Sequence, residues 1–246
     1  MQIDILSLFP SYFQGPFDVS IIKRAIEAGI LEINHVNIRD FSKDKHRKVD
    51  ERPFGGGPGM VMTPQPVIDA IRSRKKENSH VIYLSPQGKT LTSKKAEHLS
   101  KLEHIVLLCG HYEGIDQRAI DCEVAEEISI GDYILTNGCL SAIVLIDAMA
   151  RFIPNVLGNP EAAREETFNE MIFDGPHYTR PEVYENMQVP SVLLKGNHAE
   201  IQKWKMKEGL IKTRKVRPEL YIKYLLEKTK QVNKNKEGEI SCETKF

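Results

Sequence analysis

The sequence lacks the long apolar run that a transmembrane helix requires. Its longest apolar stretch, residues 142–150, is interrupted by Asp147 and is far shorter than the roughly 20 residues that span a bilayer. The first ten residues contain neither a basic segment nor a small-residue cleavage site, so no signal peptide is expected. These absences predict a cytoplasmic protein without a membrane partner.

Metal-site and nucleotide-site patterns are missing as well. The four cysteines, Cys109, Cys122, Cys139 and Cys242, form no CxxC pair, and the histidines are scattered. This spacing is not that of a zinc site or a disulfide framework, so we expect buried or inactive thiols and no bound metal. The absence of GxGxxG and GxxxxGK[ST] argues against a Rossmann dinucleotide site and a P-loop ATPase.

Charge of one sign is in excess only locally. The 246-residue chain has 34 basic and 34 acidic residues, and its 41% hydrophobic content is sufficient for a core. Residues 109–174 carry 13 acidic and three basic residues, whereas residues 195–236 carry 13 basic and four acidic ones. The basic block is typical either of a solvated helical face or of a surface that binds a polyanion. A second basic cluster favours nucleic acid and comprises Lys43, Lys45, His46, Arg47, Lys48 and Arg52.

The first half of the chain has the pattern of an α/β fold. Residues 81–85 and 105–109 are short apolar runs typical of buried parallel strands. Between them, residues 92–102 have helical spacing and begin with Thr92 or Ser93 as a cap. A further strand is predicted at 124–129 and a helix at 140–152. The sequence therefore predicts a mostly parallel sheet covered by helices.

The second half predicts a small helical domain that follows a linker. Residues 158–176 are rich in Pro, Gly, Asn and acidic residues and predict a mobile linker after a domain at 1–157. Asn197 and Glu200 resemble a capping box, and the helix that they start is expected to end at Gly209. Pro218 begins a second helix. This domain is expected to cover residues 177–232, and residues 233–246 to form a polar, frayed tail.

Glycine-containing loops are the candidate binding elements. Residues 84–88, 109–114 and 129–135 follow the three predicted strands. Ligands bind beyond the carboxyl ends of parallel strands, so the three loops are expected to form one pocket. The segment 50–60, DERPFGGGPGM, lets backbone amides approach a ligand, although a flexible hairpin has the same composition.

Acidic residues in the linker are candidate general bases. Glu165 and Glu166 lie there, and Arg151 ends the preceding helix. A carboxylate beside a cation suits general-base chemistry, although acidic pairs in linkers are usually only solvated. From the residue pattern alone, the chain is an α/β protein with a cleft and a basic helical domain.

Seven ordered motifs resemble the bacterial tRNA (guanine-N1)-methyltransferase family. They are DERPFGGGPGM, YLSPQG, CGHYEGID, SIGDYIL, RFIPNVLG, GPHYTRPEV and GNHAEIQKW, and the resemblance extends to about residue 225. It implies a methyltransferase of the SPOUT class with a deep trefoil knot, which is an exceptional topology among proteins. It also implies S-adenosylmethionine as methyl donor, tRNA as substrate and a homodimer. The implied target is N1 of the guanine on the 3′ side of the anticodon.

The resemblance also assigns the site residues. Arg151 matches the family's assisting arginine, and the family's aspartate base falls on Glu166, with Glu165 as the alternative. Glutamate keeps the carboxylate but adds a methylene, and a misplacement of about 1 Å can cost roughly 100-fold in rate. The implied cofactor-binding residues are Tyr83, Leu84, Ser85, Pro86, Gln87, Gly88, Gly110, Tyr112, Glu113, Gly114, Ser129, Ile130, Gly131, Asp132, Tyr133, Ile134, Leu135 and Gly138.

Asn137 and Cys139 depart from the family's usual Gly-Gly-Glu-Leu-Pro pattern. Asparagine tolerates a positive φ, so we expect the loop to survive, and we expect no disulfide or metal role for Cys139. His111 receives no role, and Trp204 is interpreted as core rather than as an RNA-stacking residue. Phosphate contacts are expected from Lys203, Lys205, Lys207, Lys212, Arg214, Lys215 and Arg217.

A different class of function is an RNA-binding protein that keeps the knot but has lost or redirected its methyltransferase activity. All three cofactor loops are present, which a pure binder does not need, so the motifs favour catalysis. The sequence leaves open whether Mg²⁺ is required during turnover.

Overall fold

The computed structural model describes the backbone of residues 1–158, 168 and 171–243, with side chains to residue 230. The chain divides into two compact units, Met1–Ala163 and Arg164–Phe246, and the division falls inside the linker predicted at 158–176. Unit 1 contains β1 (Gln2–Ser7), a 3-10 helix (Pro10–Phe13), α1 (Ser20–Glu27), β2 (Glu32–Asn37), a second 3-10 helix (Ile38–Phe41), β3 (Asp50–Glu51), β4 (Val61–Met62), α2 (Pro64–Arg74), β5 (Ser79–Thr90), α3 (Ser93–Leu99), β6 (His104–Cys109), α4 (Gln117–Glu123), β7 (Glu126–Ser129) and α5 (Cys139–Ala150).

Five parallel strands form the central sheet of unit 1, in the order β2-β1-β6-β5-β7. Alternate side chains of each strand enter two different cores because successive residues point to opposite faces. On β1, Ile3 and Ile5 pack in the core that includes residues of α1, α3 and α5. Leu6 packs in the core that includes residues of α2 and α4. The predicted α/β class with a mostly parallel sheet is confirmed.

The predicted elements of unit 1 are present with shifted ends. Thr92 is the cap of α3, because its Oγ1 accepts a hydrogen bond of 3.2 Å from the Lys95 backbone N–H. β6 is buried along its whole length, as expected for the middle strand of five. β5 is much longer than the predicted 81–85, and α5 begins one residue earlier than predicted and ends two residues earlier.

β5 leaves the ladder with β7 for four residues. Leu84 and Lys89 both pair with Ile128, so residues 85–88 form an excursion from the strand. The chain returns through Gly88, where a Cβ atom would lie 2.4 Å from the Ile128 backbone nitrogen. Only glycine allows the two backbones to approach this closely. The excursion carries residues 85–87 beyond the carboxyl end of the sheet.

The described residues of unit 2 form a short hairpin and three helices. They are β8 (Val183–Tyr184), β9 (Met187–Gln188), α6 (Ser191–Leu194), α7 (His198–Val216) and α8 (Pro218–Glu243). Asn197 caps α7 by accepting a 3.4 Å hydrogen bond from Glu200 N–H, and Pro218 begins α8, both as predicted. α8 continues well past residue 232, the predicted end of the helical domain.

The predicted end of α7 at Gly209 is wrong, because the helix continues to Val216. A Cβ atom at Gly209 would lie 2.1 Å from the Phe173 carbonyl oxygen. Thr213 Oγ1 accepts from Phe173 N–H and donates to the Gly209 carbonyl, both at 2.7 Å. The glycine therefore admits a neighbouring backbone to the side of the helix, which local sequence cannot distinguish from a helix stop.

In the part of the chain that the structure describes, no helix is both long enough and apolar enough to cross a membrane.

Candidate functional site

A cavity of about 380 Å³ lies at the carboxyl ends of β5, β6 and β7. This is the edge at which parallel sheets bind ligands, and three loops and the start of α5 contribute to it. The lining residues are Tyr83, Leu84, Ser85, Pro86, Gln87, Gly110, His111, Tyr112, Glu113, Gly114, Ile128, Ser129, Ile130, Gly131, Tyr133, Ile134, Leu135, Thr136, Asn137, Gly138 and Ser141.

The wall from β5 is built on the buried side chain of Tyr83. A Cβ atom at Gly110 would lie 2.9 Å from the Tyr83 hydroxyl, so the ring and the second loop are in close contact. Burial, with a smaller contribution from the negative charge of Glu127, raises the pKa of Tyr83 to about 12. The phenol therefore stays protonated near neutral pH.

The second loop is anchored to the segment that precedes α2. Glu113 N–H donates to the Met60 carbonyl at 3.0 Å, and Met62 N–H donates to the Gly114 carbonyl at 2.9 Å. Tyr112 adopts a φ of +58°, which is uncommon for an aromatic residue. Its hydroxyl accepts a 3.4 Å hydrogen bond from Arg39 Nη2. The second loop is therefore held by backbone hydrogen bonds to the segment before α2 and by the hydrogen bond from Arg39 to Tyr112.

The glycine-rich segment 50–60 connects β3 to β4 beside this loop. Its residues do not line the cavity, so its predicted ligand contact stays a prediction. Gly59 has a φ of +83°, and a Cβ atom there would lie 2.4 Å from Glu113 Cγ. Phe54 is fully exposed. The segment therefore places an exposed aromatic ring on a glycine turn that packs against a cavity residue.

The third loop combines a glycine turn with a cap on α5. Ser129 Oγ accepts from Gly131 N–H at 3.2 Å and donates to the Gly131 carbonyl at 3.0 Å. Asn137 Oδ1 accepts from Cys139 N–H at 2.9 Å. Gly138 N–H donates to the Gly110 carbonyl at 2.8 Å and joins the second and third loops. Asn137 therefore acts through its side chain, and its φ is not positive.

The structure brings together sixteen of the eighteen residues predicted to bind cofactor. The two others, Gly88 and Asp132, do not line the cavity: Gly88 packs against β7, and Asp132 is exposed. Sequence reasoning missed several lining residues, of which His111 and Asn137 lie within or next to motifs that it had already identified. Ile128 and Thr136 directly flank the motif SIGDYIL, and only Ser141 depends on where α5 begins. The missed residues are His111, Ile128, Thr136, Asn137 and Ser141.

Of the predicted catalytic residues, the structure describes only Arg151. Arg151 is the C-cap residue of α5 and is half-buried. Glu165 and Glu166 lie outside the described residues, so the structure gives no distance between Arg151 and either carboxylate. Among the described residues there is no group of three or more His, Cys, Asp or Glu that could hold a metal ion.

The predicted phosphate contacts lie on or directly after α7. Lys205 is half-buried, and the other six basic residues are exposed. Lys203 pairs with Glu200 at 3.3 Å, and Arg217 pairs with Glu219. Lys212 Nζ lies 5.9 Å from the centre of the Phe173 ring. Trp204 is half-buried, with its ring 6.3 Å from that of Tyr178.

Comparison with known proteins gives a consistent result. A sequence profile described as tRNA (Guanine-1)-methyltransferase TrmD matches residues 1–223. A Protochlamydia amoebophila protein named tRNA (guanine-N(1)-)-methyltransferase is 60% identical over 220 residues, which cover 89% of this chain and 99% of that protein. A protein of the same name from Dictyoglomus turgidum is 52% identical and covers 91% of each chain. The Chlamydia pneumoniae protein of that name is 53% identical over 93% of this chain but 63% of its own length.

Proposed function

The chain belongs to the tRNA (guanine-1)-methyltransferase family and is an enzyme of that class, and we propose that it methylates N1 of the guanine on the 3′ side of the tRNA anticodon. S-adenosylmethionine is the proposed methyl donor. The observation that carries the proposal is the single cavity to which all three loops of the predicted cofactor site contribute.

The cavity suits the proposed donor in size and in chemistry. Its volume of about 380 Å³ lies within the range of roughly 300–1,000 Å³ that is typical of small-molecule sites. Leu84, Ile130 and Leu135 offer apolar walls for an adenine ring, while the backbone of the loop turns offers hydrogen-bonding groups for its edge. Glu113 contributes a carboxylate that complements a positively charged ligand. The bound donor would supply an electrophilic methyl group on its sulfonium.

Glu166 is the proposed general base, with Arg151 as its electrostatic partner. N1 of guanine carries a proton, so its lone pair becomes nucleophilic only when a base removes that proton. Negative charge then develops on the base ring toward O6, where an arginine stabilises it. The assignment rests on the match of both residues to family motifs.

We further propose a knotted homodimer. The proposal for the knot rests on the family resemblance, whereas the dimer also has structural support. Leu140 and Val144 lie one turn apart on α5 and are exposed. Phe9, which caps the first 3-10 helix, and Tyr12 within that helix are exposed as well, and the helix packs against α5. Exposed apolar patches of this kind mark protein interfaces. A monomer in sedimentation velocity at micromolar concentration would contradict the dimer.

tRNA is proposed to bind through the basic side chains of α7 as well as at the cavity. Contacts between lysine or arginine and phosphate supply affinity without sequence choice. The choice of guanine would then depend on the pocket and on removal of the base from its stack. Because tRNA is a cytoplasmic molecule, we place the enzyme in the cytoplasm.

The alternative is an RNA-binding protein that has lost or redirected its activity. In such a protein, larger residues could replace the cavity glycines at which an added Cβ atom would collide with neighbouring groups. Gly110 and Gly138 are both retained, and a Cβ atom at either would lie about 3 Å from its neighbours. The retained space favours an enzyme that still binds a cofactor.

Two tRNA transcripts test the proposed reaction and its position together. One carries guanine on the 3′ side of the anticodon and the other carries adenine there. We expect transfer of a labelled methyl group from S-adenosylmethionine to the first alone. Adenine lacks the O6 that Arg151 would stabilise, and its N1 lone pair would face the Glu166 carboxylate without a proton between them. Equal transfer to both transcripts would contradict the proposed target, and cofactor binding without transfer to either would favour the RNA-binding alternative.

A further inference from the structure

His111 is a nearly buried residue in the wall of the cavity. It follows the end of β6 by two residues, and only 5% of its surface is accessible to solvent. It lines the cavity together with its neighbours Gly110 and Tyr112. Neither the family resemblance nor the proposed reaction gives this side chain a role, so its place in the wall calls for a separate explanation.

One ring nitrogen of His111 is held on the side of β1. Nε2 accepts a 3.4 Å hydrogen bond from the backbone N–H of Leu8, just beyond β1, and lies 3.9 Å from the Cys139 sulfur. The Phe9 ring packs against the imidazole in an edge-to-face arrangement, with 5.2 Å between the ring centres. These contacts fix the orientation of the imidazole.

The geometry directs the other ring nitrogen, Nδ1, toward the cavity. β1 and β5 lie on opposite sides of β6, and the two nitrogens of an imidazole point in nearly opposite directions. A ring that turns Nε2 toward Leu8 therefore turns Nδ1 toward the β5 side, where the cavity lies. Among the described residues, no buried side-chain nitrogen or oxygen lacks a hydrogen-bond partner. In that part of the chain the hydrogen bonds of the ring are made by Nε2, so Nδ1 meets this condition by facing open space.

The hydrogen bond from Leu8 also determines which nitrogen carries the proton. Nε2 accepts this bond with its lone pair, so Nε2 is unprotonated and the neutral ring holds its proton on Nδ1. A donor N–H at a nearly buried position is destabilising when it has no acceptor. A ligand that excludes water from the cavity therefore has to supply an acceptor for Nδ1–H.

We propose that His111 Nδ1–H donates a hydrogen bond to a ring nitrogen of the adenine of S-adenosylmethionine, an assignment that rests on the proposed function. An uncharged acceptor suits this position better than the carboxylate of the cofactor. In the described part of the chain no lysine or arginine lines the cavity. Glu113 belongs to the same turn, which Gly114 N–H closes by donating to the His111 carbonyl at 3.2 Å. A ligand carboxylate would be buried there without a cation and close to a like charge.

Glutamine and asparagine separate the two nitrogens of His111. Glutamine places its amide near the position of Nε2 and can still accept from Leu8 N–H, whereas asparagine places its amide near the position of Nδ1 and can still donate into the cavity. His111→Gln should keep the stability of the fold but bind S-adenosylmethionine about 5- to 50-fold more weakly, as expected for a hydrogen bond lost in a buried site. His111→Asn should unfold at a lower temperature but keep an affinity within about threefold of the wild type.

Calorimetry with S-adenosylmethionine and thermal unfolding of the protein alone measure these two quantities. Unchanged affinity in His111→Gln would overturn the proposal. Losses of affinity in both variants that follow their losses of stability would also overturn it, because His111 would then act only through the fold. In both cases the wild type still binds the cofactor, so the proposed function stands. A wild-type protein that binds no S-adenosylmethionine would contradict the proposed function, and this assignment with it.

A cofactor fragment tests whether the acceptor lies on the adenosine or on the amino-acid end. 5′-Methylthioadenosine keeps the adenosine but lacks the carboxylate and the ammonium group. His111→Gln should therefore weaken its binding, measured by competition with labelled S-adenosylmethionine, by the same factor as it weakens binding of the cofactor. A loss confined to S-adenosylmethionine would place the acceptor on the carboxylate and overturn the assignment.

Deaza analogues of 5′-methylthioadenosine identify the ring nitrogen. The 1-deaza, 3-deaza and 7-deaza compounds each replace one nitrogen of adenine by carbon. One of them should bind the wild type more weakly than the parent compound does, yet bind wild type and His111→Gln equally, because the hydrogen bond is already absent. If His111→Gln weakens all three compounds as much as it weakens the parent compound, the acceptor is not an adenine nitrogen and the proposal is wrong.

Discussion

Glu166→Gln is expected to lower the rate of methyl transfer by about 10²–10⁴-fold, the usual contribution of a general base. Glutamine has nearly the same size and shape as glutamate, but its amide cannot accept the N1 proton at neutral pH. The affinity for S-adenosylmethionine should stay unchanged, because the predicted cofactor residues lie in other segments of the chain. Single-turnover transfer to the guanine transcript, with calorimetry of cofactor binding, measures both quantities.

Glu165→Gln is the matched control for this prediction. It makes the same chemical change one residue away and should retain most of the transfer rate. A large loss in Glu165→Gln with normal transfer in Glu166→Gln would move the base to residue 165. Normal transfer in both variants would mean that neither carboxylate removes the proton.

Gly131→Ala is expected to weaken binding of S-adenosylmethionine by about 10- to 100-fold. Gly131 has a φ of +152°, and a Cβ atom there would lie 2.4 Å from the Tyr133 ring. Either the Tyr133 ring moves away from the cavity wall and loses its 3.3 Å hydrogen bond to the Ile130 carbonyl, or the turn held by Ser129 shifts. Each response changes the surface that the cofactor contacts, and calorimetry measures the loss as 1.4 kcal/mol for each factor of ten.

Gly29→Ala separates this steric effect from backbone strain. Gly29 also has a positive φ, +67°, but no atom lies within 4 Å of its Cβ position, and it lies outside the cavity lining. Both substitutions should cost about 1–3 kcal/mol of stability through the unfavourable φ. Only Gly131→Ala should also lose cofactor affinity. Equal affinity in the two variants would contradict the placement of the cofactor against the third loop.

The sequence predicted the parts of the fold that depend on local pattern. The runs at 81–85 and 105–109 become buried strands because their uninterrupted apolar side chains can be covered on both faces of a sheet. Asn197 and Pro218 begin α7 and α8 because their preferences act on their own backbone. In each case the interactions that decide the structure lie within a few residues of the signal.

Features that depend on distant backbone could not be predicted in this way. Gly88 and Gly209 have the local pattern of ordinary turn or stop glycines, yet each exists to admit another part of the chain: β7 in one case and Phe173 in the other. The contact of Gly138 with Cys109, where a Cβ atom on the glycine would lie 3.0 Å from Cys109 Cα, likewise depends on where α5 starts relative to β6. The residues around such a position do not indicate which distant segment of the chain will pack against it.

The sequence predicted the loops that form the candidate site but not all of the contacts within it. Its three loops follow from strand positions and from resemblance, since a parallel sheet gathers the ends of its strands at one edge. The position of His111 in the cavity wall could not be predicted, because it depends on contacts with Cys139 and with the Leu8 backbone N–H at 3.4 Å. The assignment of the base rests on resemblance alone.

The strand order has a consequence for how the protein forms on the ribosome. β1 lies between β2 and β6, and its buried Asp4 carboxylate accepts hydrogen bonds from Asn34 at 2.9 Å and from His104 at 3.0 Å. Asp4 and His104 are 100 residues apart, which a ribosome translates in about 5–20 s at about 5–20 residues per second. During that interval the edge of β1 that pairs with β6 has no native partner, and Asp4 lacks its hydrogen bond from His104. Nascent chains stalled before residue 104 should therefore be the ones that chaperones bind most strongly.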